Sequence, residues 1–342
     1  MRIALDAMGG DLGPEMAIQG ALAAVGGNPD LRVILVGPSD RLDAQLAELG
    51  NGQDDVLQRI SVQHASEVIT MHDSPVEAVR KKKEATIVVG FDLVKRKEAD
   101  AVVSAGNSGA TMAAAIRKLG RLPGIARPGI ASFFPTVKKP VMLMDIGANV
   151  DCRPQHLYQF AVMASSCVRL LQQNPTPRIG LLSNGEEVTK GNGLVKEAHA
   201  LLGRSHLNFI GNVEGRDVYR GDVDVVVCDG FVGNISLKIS EGLAEAAMMM
   251  LKREILKKWR YKLGYLLIRG AFSGFKKQVD YAEYGGAPLL GINGTGIICH
   301  GASNAIALRN AIEVASDMVR NQVNEAIIAN LDGFEKGQNP EI

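Results

Sequence analysis

The chain has 342 residues, of which 46 % are hydrophobic and 22 % are charged, so it can fold around a sizeable core. Its formal net charge of +1 gives no general attraction to nucleic acid, and no stretch approaches the roughly 18 uninterrupted apolar residues of a membrane span. The four cysteines lack the spacing of a metal site or disulfide framework, which favours a reducing cytoplasm, and the N-terminus does not resemble a signal peptide.

Short apolar strands alternate with helical patterns along the chain. Strands are predicted at residues 2–5, 31–36, 60–63, 101–104, 141–144, 178–182, 207–210 and 225–228. Two helices are predicted to begin at about residues 14 and 40, and two more to span 76–84 and 156–171. Others are predicted to end at 119 and at about 202, and a further helix is predicted after 234. The connection between 119 and 141 is rich in proline and glycine and is expected to be irregular. This alternation predicts a doubly wound α/β/α sandwich with a mostly parallel sheet.

Glycine, asparagine and acidic residues cluster directly after five of these strands. The five loops are residues 6–11, 104–110, 145–149, 183–191 and 228–234. In an open parallel sheet, ligands bind beyond the carboxyl ends of the strands, where helix N-termini attract anions. We therefore expect the five loops to lie at one edge of the sheet and to form an anion site. The alternative is ordinary turn chemistry, because DG and GN are common turn sequences.

The loops contain few of the groups that enzymes use for covalent catalysis. The sequence has no dinucleotide, P-loop, serine-hydrolase or zinc-protease motif. Cys228 belongs to an apolar strand, where a free cysteine usually packs as a small hydrophobic residue, so thiol catalysis is not favoured. His300 follows a glycine-flanked segment and is a candidate acid or base, although a lone histidine is often structural.

The loop sequences, as a set, resemble those of the bacterial phosphate acyltransferase family. The similarity lies in DAMGGD at 6–11, SAGNSGA at 104–110, DIGAN at 145–149, SNGEE and KG within 183–191, and CDGFVGN at 228–234, and it extends to HGAS at 300–303. It implies a fold similar to phosphotransacetylase and isocitrate dehydrogenase, with residues 1–342 as a single catalytic unit. It also implies transfer of a long-chain acyl group from an acyl-carrier-protein thioester to inorganic phosphate. The acyl phosphate product would feed a downstream glycerol-3-phosphate acyltransferase.

This reaction needs no protein nucleophile, because phosphate is itself one. The enzyme must hold the anion beside the thioester carbonyl and stabilise the tetrahedral oxyanion. We expect Lys190 to neutralise charge, Asn234 to orient a reactant, Asp229 to accept a proton from phosphate and His300 to protonate the leaving thiolate. Further phosphate- or substrate-binding residues are expected in the same loops, namely Gly9, Gly10, Ser108, Gly109, Asn149, Ser183, Asn184 and Gly233. Neither a metal nor another cofactor is expected.

Residues 252–277 differ from the rest of the chain in charge and aromatic content. They hold nine Lys or Arg residues against one Glu, and five of the sixteen aromatic residues of the chain. The apolar positions predict a basic amphipathic helix, an excursion at about 252–280, of the kind that lies on an anionic membrane. The expected membrane contacts are Trp259, Leu263, Leu266, Leu267 and Phe272. The alternatives are a homodimer contact, a core helix with lysine side chains covering apolar surface, and a dock for the acidic carrier protein.

The sequence also permits two other functions. A short-chain phosphotransacylase that uses coenzyme A would share the fold and the phosphate chemistry but would not need the basic, aromatic segment. A non-catalytic scaffold on the membrane surface would keep the phosphate site without turnover. The long-chain phosphate acyltransferase function would place the protein in the cytoplasm, peripherally associated with the inner face of the cell membrane.

Overall fold

Strands and helices alternate along most of the chain. The computed structural model describes residues 1–279 and 284–337. Within these residues the strands are β1 (Arg2–Asp6), β2 (Arg32–Gly37), β3 (Ile60–His64), β4 (Ala101–Ser104), β5 (Gly129–Phe134), β6 (Val141–Met144), β7 (Ile179–Leu182), β8 (Phe209–Val213), β9 (Val225–Val227), β10 (Ala287–Leu290) and β11 (Thr295–Ile298). The helices are α1 (Pro14–Gly27), α2 (Ser39–Leu49), α3 (Asp54–Leu57), α4 (Pro75–Lys81), α5 (Thr86–Lys95), α6 (Ser108–Leu119), α7 (Pro154–Leu171), α8 (Gly193–Gly203), α9 (Gly230–Lys257), α10 (Trp259–Val279), α11 (Ala305–Arg320) and α12 (Val323–Gly337).

The strands form one sheet in the order β3-β2-β1-β4-β11-β10-β5-β6-β9-β7-β8. Strands β3, β2, β1, β4 and β11 are parallel to one another, and so are β6, β9, β7 and β8. The pairings β11–β10, β10–β5 and β5–β6, which join the two groups, are all antiparallel. The predicted mostly parallel sheet is confirmed. Because three reversals separate them, however, the two parallel groups point in opposite directions.

The expectation that five polar loops lie at one edge of the sheet is therefore wrong. The loops after β1 and β4 lie at one edge, and those after β6, β7 and β9 lie at the opposite edge. The error arises from β5, β10 and β11, which the sequence did not reveal. β5 lies inside the connection predicted to be irregular, and β11, whose four residues are buried, lies in the glycine-flanked segment that precedes His300. Short strands that are buried in mid-sheet lack the alternation that identifies a half-exposed strand.

Helices pack on both faces of the sheet, as the predicted α/β/α sandwich requires. Alternating side chains of β1 separate the two layers, since Ile3 and Leu5 join the core on one face and Ala4 joins the core on the other. The first core includes residues of α1, α7, α8, α11 and α12. The second includes residues of α4, α5 and α6, and α9 begins on this side, where it contacts β6.

α9 and α10 form a hairpin that carries the basic, aromatic segment. α9 begins directly after β9 and runs for 28 residues to Lys257, and Lys258 adopts an extended conformation before α10 starts at Trp259. The segment predicted as one amphipathic helix is thus the end of one helix, a turn and most of a second, so its apolar positions do not all share one helical face. The side chains of residues 276–279, including Lys276 and Lys277, lie outside the described set, as does residue 280. In the described part of the chain no helix is long and apolar enough to cross a membrane.

Candidate active site

The buried carboxylate of Asp6 connects the loops at the first edge of the sheet. Its Oδ2 accepts a hydrogen bond from Ser104 Oγ at 2.8 Å, and its Oδ1 accepts one from Met8 N at 3.2 Å. A Cβ atom on Gly9 would lie 2.6 Å from Asp6 Oδ2 and 2.7 Å from Gly106 N, so the two loops approach too closely for a side chain. Burial raises the pKa of the Asp6 carboxyl, while these hydrogen bonds act in the opposite direction. The absence of a side chain at Gly9 therefore allows the loops after β1 and β4 to pack against each other.

The loop after β11 joins the same edge. Cys299 N donates to Ser104 O at 2.8 Å, and Asp11 N donates to Gly301 O at 2.8 Å. His300 lies between these two contacts and is exposed. Its Nδ1 accepts a hydrogen bond from Ala302 N at 3.2 Å. The neutral imidazole consequently carries its proton on Nε2.

A second buried carboxylate, Asp145, organises the loop after β6 at the other edge. Its donors, at 2.7–3.2 Å, are the backbone N–H groups of Ile130, Gly147, Ala148 and Asn149 and the Nδ2 of Asn149. Burial raises the pKa of the Asp145 carboxyl, and these hydrogen bonds favour its charged form. Asn149 Nδ2 also donates to Pro128 O at 2.8 Å. Asn149, predicted to bind substrate, is thus engaged in holding the loop.

The N-terminus of α9 packs directly on this loop. A Cβ atom on Gly233 would lie 1.9 Å from the carbonyl oxygen of Asp145, so no residue with a side chain fits there. Asp229 is the N-cap, and its Oδ1 accepts a hydrogen bond from Val232 N at 2.9 Å. Gly230 N and Gly233 N donate to Asn149 O and Asp229 O at 2.7 and 2.9 Å. Since these N–H groups are already bonded, an anion at this end of α9 would depend more on side chains.

A cavity of about 350 Å³ extends across the sheet face between the two edges. β10 has four residues, so the edges are about 13 Å apart there. The cavity is lined by Ser108, Cys299 and His300 from the first edge, by Ile146 and Gly147 from the other, by Asn234, Leu237, Lys238 and Glu241 of α9, and by Ile130, Ser132, Gly286, Ala287 and Ile298. Three predicted site residues, Ser108, Asn234 and His300, therefore line one cavity, although they follow strands of opposite direction.

Lys238 supplies a cation to this cavity and was missed in the sequence. Its Nζ lies 2.8 Å from Glu241 Oε2, and its side chain is 55 % exposed. Lys238 follows Asn234 by four residues on α9, so the two side chains share a helical face. That spacing was the available signal. Lys190 has the stronger sequence signal for a charged group at an anion site, because it lies in a glycine-rich loop.

The other predicted residues lie outside this cavity. Lys190 is exposed on the loop after β7, where Asn184 Oδ1 accepts a hydrogen bond from Gly191 N at 2.8 Å. In the same loop, Ser183 Oγ is buried without a hydrogen-bond partner among the described residues. The remaining positions, Gly9, Gly10, Gly109, Asn149, Asp229 and Gly233, belong to the loops and helix starts around the cavity. Their predicted roles in substrate binding or catalysis stay predictions.

The cysteines near the cavity are poor nucleophiles. Cys228 is buried, its Sγ donates to Asp145 O at 3.6 Å, and burial raises the pKa of its thiol well above the usual value. Cys299 lines the cavity, but burial raises its pKa to about 12. Both thiols are protonated at neutral pH, which supports a packing role. Among residues 1–279 and 284–337, no cluster of three His, Cys, Asp or Glu side chains could hold a metal ion.

Sequence comparison identifies close relatives over almost the full length. The profile of a family described as "Fatty acid synthesis protein" matches residues 1–326. The phosphate acyltransferase of Syntrophotalea carbinolica is 55 % identical over 341 residues, which cover 99 % of this chain and 95 % of that protein. The phosphate acyltransferase of Geotalea uraniireducens is 56 % identical over 332 residues, covering 97 % and 94 %.

Solved structures share the fold at much lower sequence identity. The EutD phosphotransacetylase from Staphylococcus aureus matches with a TM-score of 0.61 at 17 % identity, covering 93 % of this chain and 94 % of that one. A branched-chain phosphotransacylase from Enterococcus faecalis V583 matches with a TM-score of 0.55 at 15 % identity, covering 93 % and 99 %. These matches confirm the expected likeness in fold to phosphotransacetylases. By its family profile and its relatives, the chain belongs to the phosphate acyltransferase family and is an acyltransferase of fatty acid and phospholipid synthesis.

Proposed function

We propose that this chain transfers a long-chain fatty acyl group from an acyl-carrier-protein thioester to inorganic phosphate, giving an acyl phosphate. The observation that carries the proposal is the cavity in which Ser108, Asn234, Lys238 and His300 come together. An ammonium, an amide and a hydroxyl suit a phosphate anion, and an imidazole beside them suits proton transfer. The phosphate acyltransferase name of the relatives supports the same acceptor.

In the proposed reaction, a phosphate oxygen attacks the thioester carbonyl carbon. The carbonyl becomes a tetrahedral oxyanion, which then collapses as the C–S bond breaks. Lys238 and Asn234 donate hydrogen bonds to the anion or to the developing oxyanion, where preorganised donors have their largest effect. His300 donates a hydrogen bond from its Nε2–H to the leaving thiolate, which stabilises the charge that develops on sulfur as the C–S bond breaks.

Two further candidates belong to neighbouring loops at the edge that includes Asn234. Asp229, the N-cap of α9, is proposed to accept the proton of the attacking phosphate. Lys190 follows β7, which is paired with β9, and is proposed as a second cation for phosphate. Ser183, Asn184 and the loop glycines are proposed to shape this anion site. The scheme uses no metal and no other cofactor.

The hairpin of α9 and α10 supports a membrane-surface location. α10 exposes Trp259, Leu263 and Leu267, whose exposed fractions are 70, 53 and 85 %. Lys258 Nζ lies 5.5 Å from the ring centroid of Tyr261, and Arg260 Cζ lies 5.7 Å from that of Trp259. Cations beside aromatic residues suit the headgroup region of an anionic bilayer. We propose peripheral association with the inner face of the cell membrane, where the product reaches a glycerol-3-phosphate acyltransferase.

A homodimer and an acidic carrier protein are the other proposed partners of this exposed hairpin. A second copy would cover apolar side chains such as Ile239 and Leu243, which are exposed in the single chain. The carrier protein would be attracted by the local excess of lysine and arginine. Both partners are compatible with membrane contact, because the hairpin exposes residues on more than one face.

The deciding experiment measures thiol release from palmitoyl carrier thioester with and without phosphate. We expect release that depends on phosphate, yields palmitoyl phosphate and persists in a chelator. Turnover restricted to short-chain coenzyme A thioesters would instead identify a short-chain phosphotransacylase. Absence of turnover with either donor, with retained vesicle binding, would identify a scaffold. Loss of turnover in chelator with recovery on adding a divalent ion would contradict the metal-free scheme.

A further inference from the structure

We infer that the groove between α9 and α10 binds the alkyl chain of the acyl substrate. The groove has a volume of about 880 Å³, within the range of roughly 300–1,000 Å³ that is typical of small-molecule sites. Apolar side chains such as Met248, Ile255, Leu266 and Phe272 form much of its wall. This inference rests on the proposed function and identifies where the substrate tail would lie.

One face of α9 connects the groove to the candidate active site. Glu241 lines both cavities. The α9 positions that line the active-site cavity are 234, 237, 238 and 241, and those that continue into the groove include 244, 245, 248, 252 and 255. Steps of three and four residues keep these positions on one side of a helix. A substrate whose reacting carbonyl lies beside Asn234 therefore has a path along α9 for its tail.

The change of chemistry along this path matches an acyl thioester. Polar groups, including the Lys238–Glu241 ion pair, surround the end at which the carbonyl and phosphate would react. Beyond Glu241 the wall becomes mainly apolar, as an alkyl chain requires. Each buried methylene strengthens binding roughly fourfold, so a groove that accepts many methylenes favours long chains.

The groove and the face of α10 proposed to contact the membrane are adjacent. Leu266, which is 63 % exposed, and Phe272 line the groove, whereas Leu263 and Leu267, which are 53 and 85 % exposed, do not line it. The outer face can consequently contact a bilayer or a second copy while the groove holds the chain. Leu263, Leu266 and Leu267 stay predicted membrane contacts, and Leu266 borders both the groove and the outer face.

The test compares Met248→Trp with Met250→Trp on the full chain. Met248 is half-buried in the groove, whereas Met250 is 68 % exposed and does not line it. Both variants are assayed without vesicles on butyryl, octanoyl and palmitoyl carrier thioesters. We expect Met248→Trp to lower kcat/KM for palmitoyl at least tenfold and to leave butyryl within about twofold, as lost burial of several methylenes predicts. We expect Met250→Trp to leave all three donors within about twofold. An equal change across chain lengths for Met248→Trp would overturn the inference.

Ala244→Trp adds a length-dependent control. Ala244 also lines the groove and lies four residues closer to Glu241, which is about 6 Å along the helix. A bulky side chain there should block a shorter tail, so octanoyl as well as palmitoyl turnover should fall at least tenfold. Ala244→Trp and Met248→Trp with identical chain-length profiles would count against a tail that runs along α9.

A binding measurement separates this inference from the proposed function. The fluorescence of cis-parinaric acid, an apolar polyene chain, should rise when wild type or Met250→Trp is added. The same rise should require at least tenfold more of the Met248→Trp protein. If wild type turns over no acyl donor, the proposed function fails, and this titration still decides the groove. If Met248→Trp instead abolishes a homodimer seen by light scattering and leaves parinaric binding unchanged, the groove is an interface between copies and the inference is overturned.

Discussion

The first turns of α9 are held by the sheet, whereas its outer half packs against α10. At the start, Gly230 N donates to Asn149 O at 2.7 Å, and Gly233 leaves no space for a side chain above Asp145. Farther out, Gly242 has no neighbouring atom within 4 Å of a Cβ position, and Leu243 is 68 % exposed. The same helix thus joins a region whose geometry is tightly constrained to one that leaves apolar surface accessible. Acyl transfer requires the constrained geometry, and the proposed contact with lipid would use the accessible apolar surface.

Gly233→Ala should have the largest effect, because it disrupts the packing of the first turns of α9 on the loop after β6. Its Cβ would lie 1.9 Å from Asp145 O, a backbone atom that cannot move without displacing α9 or the loop after β6. We expect a loss of about 3 kcal/mol or more in the free energy of unfolding, measured by urea denaturation. We also expect near-complete loss of phosphate-dependent turnover in any folded fraction. Wild-type stability and turnover would show that the start of α9 is less constrained than its contacts indicate.

Lys238→Ala tests which cation acts in the constrained half. Lys238 lines the cavity with Asn234 and His300, whereas Lys190 lies outside it. We expect Lys238→Ala to lower kcat on the order of 100-fold, the scale of a lost oxyanion donor, and Lys190→Ala to lower it less. Lys238→Arg keeps the charge and serves as the conservative control. The reverse order of the two alanine variants would place the anion at the loop after β7.

Leu263→Glu combined with Leu267→Glu tests the accessible half. These residues lie four apart on α10 and are exposed. We expect the double variant to lose sedimentation with anionic vesicles while turnover of soluble donors stays within about threefold, because apolar insertion and chemistry use separate surfaces. Wild-type binding should weaken with salt without disappearing, since salt screens the basic residues more than the apolar contact.

The same double variant distinguishes the proposed partners of α10. Retained vesicle binding would show that this face is not the membrane contact. Loss of a homodimer by light scattering would favour an interface between copies. A raised KM for the carrier thioester with unchanged vesicle binding would favour carrier docking.

Gly242→Ala should have the smallest effect and is the matched control for Gly233→Ala. Both glycines lie within α9, but a Cβ on Gly242 meets no atom within 4 Å. Replacing an unconstrained glycine inside a helix should raise the free energy of unfolding by about 0.5–1 kcal/mol, measured by urea denaturation. Turnover should be unchanged. A destabilisation instead would indicate that the outer half of α9 also has a close neighbour, such as a second copy.

Much of the α/β pattern could be predicted from local sequence. β1, β4, β6, β7 and β9 are apolar runs that end at glycine, asparagine or acid, and these signals lie within a few residues of each strand. The N-caps Asn107, Asp229 and Asn304 are also local, because each side chain accepts a hydrogen bond from the residue three positions later. The helix predicted at 76–84 ends at Lys81, and α5 after it was missed, since a break between two short helices has a weak signal.

Which loops meet was decided by the tertiary structure. β10 pairs with β5 across a separation of more than a hundred residues, and these pairings reverse the direction of one half of the sheet. They place Ser108 and His300 opposite Asn234 and Lys238 across two short strands, while Lys190 stays outside. Residue types and their order along the chain determined which chemical groups were available. Pairings between distant segments decided which of those groups face one another, because strand direction depends on neighbours that local sequence does not specify.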